Sequence, residues 1–216
     1  MVKKFDRSLL PAAPDLSYEK RLWKQGITVV AGIDEAGRGA LAGPVTAAVI
    51  IFPKNPELDS NLIGVRDSKR MTPRQRELWA GRLVHLVTSY AIGFASSKKI
   101  DQLGILPATY LAAQRAISGL PSVPEHLLVD YIKLPGNNPP QTALVKGDAR
   151  SLSIAAASIL AKVSRDDYMR KLDDEYPGYG FGQHKGYGTV AHRQALADLG
   201  PCPVHRQSFQ LSYPLE

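Results

Sequence analysis

The chain has 216 residues, of which 44% are hydrophobic and 22% are charged, as in ordinary globular proteins. This composition excludes a disordered chain and a collagen-like repeat, and the single cysteine, Cys202, excludes a disulfide scaffold. The longest apolar runs fall far short of the ~18 residues that a membrane span requires, so we expect no membrane partner. An unpaired cysteine and an N-terminal segment without an apolar signal core favour a cytoplasmic location.

The balance of charge is basic. Lysine and arginine number 27, aspartate and glutamate number 20, and the formal net charge is +7. Most of the excess lies between residues 61 and 120, where nine basic residues stand against three acidic ones. A basic surface attracts polyanions, of which nucleic acid is the commonest, but a run of charge is also typical of a solvated helix face. Both interpretations stay open at this point.

The first 25 residues carry charges throughout and contain Pro11 and Pro14, which interrupt helices. We therefore predict a poorly structured N-terminal lead-in over residues 1–25. A chain of this length suits one domain, and we assign residues 26–216 to it.

Beyond the lead-in, apolar runs typical of strands alternate with amphipathic segments typical of helices. Thr72 and Pro73 mark the start of a helix, as its N-cap and its first helical residue. Strands are predicted over residues 27–33, 44–52, 90–96, 126–130 and 142–146, and helices over residues 72–89, 105–120, 151–176 and 189–199. This order predicts an α/β domain with a mixed β-sheet flanked by helices and a helical C-terminal part.

Four acidic residues stand at or just after the ends of predicted strands: Asp34, Glu35, Asp130 and Asp148. Strand ends of open α/β sheets are common positions for functional sites. A carboxylate that ends an apolar run is costly to desolvate unless it is paired or binds a metal. Carboxylate oxygens suit Mg²⁺ or Mn²⁺, and the lack of a Cys/His cluster disfavours zinc. Each acid alone is typical of a turn or helix cap, whereas their shared placement favours a metal site.

Asp34 and Glu35 are adjacent, so on a regular strand their side chains point to opposite faces. They converge only if the strand ends or twists at this point, which the glycines that follow allow. Gly37, Arg38 and Gly39 form a triplet whose backbone N–H groups can approach a phosphate or a sugar closely. Taken alone, such a triplet is more often a plain turn.

These residues belong to a longer series of motifs. The series comprises AGIDEAGRGALAGPVTAAVI at 31–50, DSK at 67–69, LLVD at 127–130, LVKGDAR at 144–150, SIAAASILAKVSRD at 153–166, YGFGQHKGYGT at 179–189 and HRQSF at 205–209. In content and order it resembles the motifs of the type 2 ribonucleases H, the ribonuclease HII family. A single Gly-Arg-Gly triplet has no such specificity, but the whole set is very specific.

The resemblance implies a ribonuclease H-like core and an endonuclease that hydrolyses the RNA strand of RNA–DNA hybrids. It also implies nicking of DNA 5′ of embedded ribonucleotides, with 3′-hydroxyl and 5′-phosphate ends. The implied catalytic and metal-binding carboxylates are Asp34, Glu35, Asp130 and Asp148, which would hold two Mg²⁺ or Mn²⁺ ions. Two such ions together supply an activated water and neutralise charge on the phosphate.

The resemblance also implies substrate-binding residues. The backbone of Gly37, Arg38 and Gly39, with the Tyr187 hydroxyl, would recognise the 2′-hydroxyl that distinguishes RNA from DNA. The candidates for backbone-phosphate contacts are Ser68, Lys69 and Lys146. The chain departs from many relatives after Asp130, where Tyr131, Ile132 and Lys133 replace a glycine and a polar residue, so the substrate preference stays open.

Two other classes of protein share part of this pattern. Transposases, integrases and junction resolvases share a core and an acid cluster but need no sensor of a 2′-hydroxyl, and a non-catalytic nucleic-acid-binding module has no need of four acids. His184 and Lys185 either line a nucleic-acid groove or form a surface loop, and His205 and Arg206 either contact phosphate or cap the structure. Trp23 and Trp79 are assigned to packing. We expect a monomer.

Overall fold

A five-stranded sheet forms the centre of the computed structural model, which describes residues 10–131 and 133–211. Its strands are β1 (Val30–Ala36), β2 (Val45–Ile51), β3 (Ser89–Ala95), β4 (His126–Asp130) and β5 (Gln141–Leu144), in the order β3-β2-β1-β4-β5. Strand β2 pairs antiparallel with β1 and β3, whereas β4 pairs parallel with β1 and β5. The predicted mixed sheet is confirmed.

Helices cover both faces of this sheet. In the described part of the chain they are α1 (Ser17–Lys24), α2 (Leu58–Asn61), α3 (Pro73–Leu86), α4 (Ser97–Leu103), α5 (Ile105–Ser118), α6 (Leu152–Glu175), α7 (Phe181–His184) and α8 (Val190–Leu199). Side chains alternate along β2, so Ala48 and Ile50 pack in the apolar layer of α6 while Ala47 and Val49 pack in that of α5. The sheet is therefore buried on both faces.

Helix α6 approaches β1 closely because Gly32 has no side chain. A Cβ atom at Gly32 would lie 2.3 Å from the backbone carbon of Ser153, a distance that no real contact reaches. Because side chains two residues apart on a strand share a face, Asp34 lies on this same face of β1. The packing of α6 against Gly32 thus sets the distance between the start of α6 and the acidic end of β1.

The N-terminal prediction needs correction. Residues 17–24, expected in a poorly structured lead-in, form helix α1, and Leu16, Leu22 and Trp23 join the apolar layer of α6. Pro11 and Pro14 precede the helix and do not interrupt it. The buried carboxylate of Glu19 accepts hydrogen bonds from the Ser151 hydroxyl and from the Ser153 N–H and hydroxyl at the start of α6. Residues 1–9 lie outside the described part of the chain.

The remaining elements follow the sequence with small shifts. The Thr72 hydroxyl accepts a hydrogen bond from the Gln75 N–H and the Gln75 side chain accepts one from the Thr72 N–H, so α3 begins with a complete capping box. Helix α3 ends at Leu86, three residues before the predicted end. Helices α2, α4 and α7, of four to seven residues, were not predicted. No helix within residues 10–131 and 133–211 is long and apolar enough to cross a membrane.

Candidate active site

Three carboxylates meet at one end of the sheet. Asp34 and Asp130 follow Ile33 and Val129, which are register partners in the parallel strands β1 and β4. Asp148 lies in the short 3₁₀ turn of residues 147–149, between β5 and α6. One oxygen from each of these three aspartates lies within 4.8 Å of the other two. We call Asp34, Asp130 and Asp148 the carboxylate group.

The turn that carries Asp148 is fixed by its backbone. The Gly147 N–H donates a 2.7 Å hydrogen bond to Asp130 Oδ1, which ties the turn to the end of β4. Lys146, just before it, has a left-handed φ of 58°. A Cβ atom at Gly147 would lie 2.6 Å from the Cδ1 atom of Ile154, so no larger residue fits without a shift. The positions of Asp130 and Asp148 therefore depend on each other.

Burial and neighbouring negative charges raise the pKa values of this group. Burial, followed by the charges of Glu35, Asp130 and Asp148, raises the pKa of Asp34 well above its usual value. Burial and then the charge of Asp148 raise the pKa of Asp130 to about 6. Burial also raises the pKa of Asp148. The group is thus poorly compensated by the protein and favours the binding of a cation.

The ligands present fit a hard divalent cation. Asp148 Oδ1 is buried and has no hydrogen-bond partner among the described residues. A buried carboxylate oxygen without a donor is costly, and a metal ion would satisfy it. The nearby ammonium group of Lys69 lies 3.5 Å from Asp148 Oδ2, but this side chain is 74% exposed and offsets only part of the negative charge. Carboxylate oxygens are the ligands that Mg²⁺ and Mn²⁺ prefer.

Glu35 lies beside the carboxylate group and not in it. Strand β1 continues to Ala36, three residues beyond the predicted end, so Glu35 is on the opposite face of the strand from Asp34. Its Oε1 atom lies 3.1 Å from the Arg38 guanidinium. The charge of Glu35 nevertheless raises the pKa values of Asp34 and Asp130. Of the four acids singled out in the sequence, the structure brings three within reach of one ion.

A turn of residues 37–44, here called the glycine turn, follows directly after β1. Gly37 has a left-handed φ of 89°. The backbone carbonyls of Gly37 and Arg38 accept hydrogen bonds from the guanidinium of Arg206. The N–H groups of Arg38 and Gly39 donate to no acceptor among the described residues, and both residues are exposed. These two N–H groups are free to meet a ligand.

Tyr187 lies in a second loop, residues 185–189, here called the tyrosine loop. Its half-buried ring has the guanidinium of Arg165 at 5.4 Å from its centroid and the ammonium of Lys162 at 5.7 Å. The tyrosine loop is joined to the glycine turn, because the N–H groups of Leu41 and Ala42 donate to the Gly186 carbonyl. Two candidate recognition elements that are far apart in sequence are thus in contact.

The other proposed substrate contacts differ in exposure. Lys69 and Lys146 are exposed, whereas Ser68 is buried, with its N–H donating to the Ser158 hydroxyl. A cavity of about 420 Å³ opens beside the tyrosine loop between α3, α6 and α7, and its lining includes Lys162, Lys185 and Tyr187. Of the two alternatives for Lys185, a groove or a surface loop, the structure therefore supports the groove.

Histidines beneath the tyrosine loop form a buried chain of hydrogen bonds. His192 Nδ1 lies 3.0 Å from the Tyr187 carbonyl, and its Nε2 lies 3.0 Å from His205 Nε2. The Cys202 N–H donates to His205 Nδ1. These partners imply that His205 donates to His192, which in turn donates to Tyr187, with both rings neutral. Burial lowers the pKa of His192 to about 4.

The sequence alone does not reveal the roles of several residues in this region. His205 and Arg206 are buried and structural, which removes the phosphate-contact interpretation. Arg165 was noted only as part of a motif, although it is fully buried. Nothing in the sequence separates these arginines from surface ones, because their partners are backbone carbonyls. Trp23 and Trp79 are buried, as assigned.

Comparison with known proteins identifies the family. The family model described as Ribonuclease HII matches residues 31–212. The chain belongs to the ribonuclease HII family. The ribonuclease HII of Synechococcus sp. (strain JA-3-3Ab) is 53% identical over 196 residues, covering 91% of this chain and 88% of that protein. A ribonuclease HII of Dehalococcoides mccartyi (strain ATCC BAA-2266 / KCTC 15142 / 195) is 48% identical over 203 residues, covering 93% and 95%.

The fold agrees with this assignment. The crystal structure of the ribonuclease H2 from Pyrococcus horikoshii OT3 matches with a TM-score of 0.68 and 27% identity, over 84% of this chain and 94% of that chain. The expected ribonuclease H-like core is confirmed. As a member of the ribonuclease HII family, the chain is a metal-dependent endoribonuclease that acts on RNA–DNA substrates.

Proposed function

We propose that this member of the ribonuclease HII family, besides cutting the RNA strand of hybrids, nicks DNA 5′ of single embedded ribonucleotides and leaves 3′-hydroxyl and 5′-phosphate ends. The observation that carries the proposal is the position of the free N–H groups of Arg38 and Gly39, which follow Asp34 of the carboxylate group by four and five residues. In this proposal, the N–H groups that recognise one 2′-hydroxyl thus lie close to the carboxylates that hold the metal.

The carboxylates supply the metal ligands in this proposal. Asp34, Asp130 and Asp148 would hold a divalent cation, and Glu35 would complete a site for two. When bound, two such cations supply an activated water and neutralise charge on the scissile phosphate. Both Mg²⁺ and Mn²⁺ fit these oxygen ligands. The carboxylates must be ionised to bind either ion, which ties the activity to the pKa of Asp130.

Recognition of the substrate is assigned to backbone and tyrosine. The N–H groups of Arg38 and Gly39 donate to the 2′-hydroxyl oxygen, and the Tyr187 hydroxyl meets the same group from the side of the tyrosine loop. Only a ribonucleotide offers this oxygen. Lys69 and Lys146 have exposed ammonium groups near Asp148 and contact backbone phosphates; the buried Ser68 holds the segment that carries Lys69.

Two assignments about the whole molecule remain part of the proposal. The protein acts as a monomer, and residues 26–216 form one catalytic domain, to which α1 adds through its packing on α6. Light scattering of the purified protein in dilute solution tests the first assignment, because a dimer would have twice the monomer mass of 23.5 kDa.

One assay tests the proposed activity. A DNA duplex with a single ribonucleotide is incubated with the protein and Mg²⁺, beside an RNA–DNA hybrid, an all-DNA duplex and a sample with EDTA. We expect a nick 5′ of the ribonucleotide, cleavage of the hybrid, and no cleavage in the other two samples. Cleavage of the hybrid with no nick at the single ribonucleotide would contradict the proposal, and cleavage of the all-DNA duplex would favour a DNA nuclease of related fold.

A further inference from the structure

Two arginine side chains are fully buried in the region that joins the glycine turn to the tyrosine loop. They are Arg165, on α6, and Arg206, after α8. Within residues 10–131 and 133–211, no carboxylate lies within 4.0 Å of either guanidinium. A buried cation without an acidic partner is costly unless its N–H groups all find acceptors. The acceptors here are backbone carbonyls.

Arg206 binds four carbonyls of the glycine turn. Its Nε donates to the Gly43 carbonyl at 3.0 Å, and one terminal nitrogen donates to the Arg38 carbonyl at 2.8 Å. The other terminal nitrogen donates to the carbonyls of Gly37, at 2.7 Å, and Pro44, at 3.1 Å. The planar guanidinium reaches both ends of the turn at once, which a lysine ammonium cannot do.

Arg165 joins the glycine turn to the tyrosine loop. It donates to the carbonyls of Pro44, at 2.9 Å, and Ala42, at 3.1 Å, and with its third nitrogen to the Lys185 carbonyl at 2.9 Å. A Cβ atom at Gly37 would lie 1.9 Å from Arg165 Nε, so the turn passes directly over the guanidinium. Each arginine therefore fixes the turn from the inside.

The direction of these carbonyls decides where the N–H groups of the turn point. In a trans peptide the C=O and the following N–H point in opposite directions within one plane. Because Arg206 draws the Gly37 and Arg38 carbonyls inward, the N–H groups of Arg38 and Gly39 point outward. These are the two exposed N–H groups that have no acceptor among the described residues. Without the guanidinium, the Arg38 carbonyl has no other donor among the described residues, and the Gly37 carbonyl keeps only a long hydrogen bond of 3.4 Å from the Ala40 N–H.

We propose that Arg206, supported by Arg165, is a positioning residue that orients the Arg38 and Gly39 N–H groups for recognition of the 2′-hydroxyl. This inference rests on the proposed function, since it assigns a cause to the recognition geometry used there. It places the specificity of the enzyme on a residue that touches neither the nucleic acid nor the metal. Arg206 acts only through the backbone of the turn.

The test measures preference for a ribonucleotide and not activity. In an Asp34→Asn background, which keeps the protein from cleaving, dissociation constants are measured for a duplex with one ribonucleotide and for the same all-DNA duplex. The ratio of the two constants reports the 2′-hydroxyl alone. Arg206→Lys keeps the positive charge but loses the planar guanidinium that binds several carbonyls at once. We therefore expect this ratio to fall about two- to ten-fold, as for the loss of one uncharged hydrogen bond. Affinity for the all-DNA duplex stays unchanged.

A matched control separates positioning from stability. Leu172→Ala, in α6, removes a buried side chain of the apolar cluster that also contains Ala42 of the glycine turn, and it lowers the melting temperature without removing a hydrogen bond of the turn. Its ratio of dissociation constants should equal that of the Asp34→Asn protein. If Arg206→Lys fails to fold, Arg165→Lys takes its place in the same measurement. Failure of both variants to fold would assign the two arginines to stability and overturn the proposal.

The outcomes also separate this inference from the proposed function. A ratio that is unchanged in folded Arg206→Lys would overturn the positioning role and leave the proposed function intact. A ratio of one in the Asp34→Asn protein itself would overturn recognition of the 2′-hydroxyl, and the inference with it. An equal fall in Leu172→Ala would show that general loosening, and not the orientation of the turn, controls the preference.

Discussion

The carboxylate group and the glycine turn are neighbours in the chain, but their charges are handled in opposite ways. The carboxylate group brings acids together with only the exposed side chains of Lys69 and Lys146 near them in the described part of the chain, and one oxygen of Asp148 has no donor there. The glycine turn surrounds two buried cations, and five of the six guanidinium nitrogens of Arg165 and Arg206 donate to carbonyls of the turn itself. The remaining donor, on Arg165, binds the Lys185 carbonyl.

The difference shows what each region needs from outside. The carboxylate group is incomplete without a cation, because like charges and burial raise its pKa values. The glycine turn needs no ligand for its arrangement, because Arg165 and Arg206 engage five of its carbonyls and hold its free N–H groups in place. A binding partner therefore stabilises the first region and finds the second already arranged. Four predictions test this contrast.

The largest effect is expected from Asp34→Asn. The amide keeps the shape of the side chain but removes a charged ligand, so cleavage of an RNA–DNA hybrid in Mg²⁺ should fall at least about 100-fold. Without metal, the same change relieves repulsion and should raise the melting temperature by about 2–4 °C, equivalent to about 1 kcal/mol. Activity assays and thermal unfolding in EDTA check both parts.

Asp59→Asn is the matched control for this variant, because Asp59 is an exposed carboxylate whose one ion pair among the described residues is with Lys20 on the surface. Its activity and melting temperature should equal those of the wild type. Near-wild-type cleavage by Asp34→Asn would remove Asp34 from the metal site.

Acid should weaken the histidine chain beneath the tyrosine loop. His192 has a pKa of about 4 in the folded protein, below the usual 6.5, so the unfolded chain binds more protons between these values. Stability is therefore lost as the pH falls from about 6.5 to 4, by about 3 kcal/mol, and is constant with respect to this group above pH 7. Urea unfolding at several pH values measures the loss.

The comparison variant is His192→Asn, which cannot titrate in this range. It should be less stable at pH 7 but should lose less stability on acidification. Parallel curves for the two proteins between pH 7 and 5 would show that His192 is not the group responsible.

Acid should also weaken metal binding, for a different reason. The raised pKa of Asp130, about 6, means that protons compete with the cation below pH 6. Affinity for Mn²⁺ should fall by up to about tenfold for each pH unit below that value. In the metal-free protein, acid has the opposite effect on folding. Ionisation of Asp130 as the pH rises from about 4 to 6 lowers the free energy of unfolding. Calorimetric titration at pH 5 and pH 7.5, with circular dichroism to confirm folding, tests this. Equal affinities would contradict it.

The smallest effect is expected from Tyr187→Phe. The ring and its packing against the Arg165 and Lys162 cations remain, and one hydroxyl is lost. Loss of one uncharged hydrogen bond should lower cleavage at a single ribonucleotide about two- to ten-fold, with the melting temperature nearly unchanged. Kinetics on that substrate and thermal unfolding decide the matter. A lower melting temperature with an unchanged rate would indicate a packing tyrosine instead.

The sequence predicts the acidic region better than the glycine turn. Acids at strand ends indicate a metal site because burial of a carboxylate needs a reason, and Asp34, Asp130 and Asp148 do meet. The alternation of side chains along a strand predicts that Asp34 and Glu35 converge only if the strand ends or twists there. Because β1 runs to Ala36, Glu35 lies on the opposite face from Asp34. The strand end itself was placed three residues early, since the apolar run stops before the pairing does.

The arginines could not be predicted in the same way. Every residue has a backbone carbonyl, so acceptors of this kind cannot be identified from the sequence. A buried Arg206 is therefore indistinguishable in sequence from a basic residue on the surface. Helix α1 is not predicted from the sequence for a related reason. It is stabilised by contacts of Trp23 and Glu19 with α6, which are more than 100 residues away in the chain. Long-range packing of this kind overrides the local pattern of charges and prolines.

The bond from Arg206 to the Gly37 carbonyl spans 169 residues and has a consequence for the order of folding. A contact of such separation forms late, because the intervening chain must first be brought together. During synthesis, the carboxylates are all made before the residue that fixes the glycine turn. We expect a nascent chain that ends before Arg206 to bind metal at its carboxylates while its glycine turn is not yet fixed. The turn to which we assign recognition of the 2′-hydroxyl is therefore the last part of the site to be arranged.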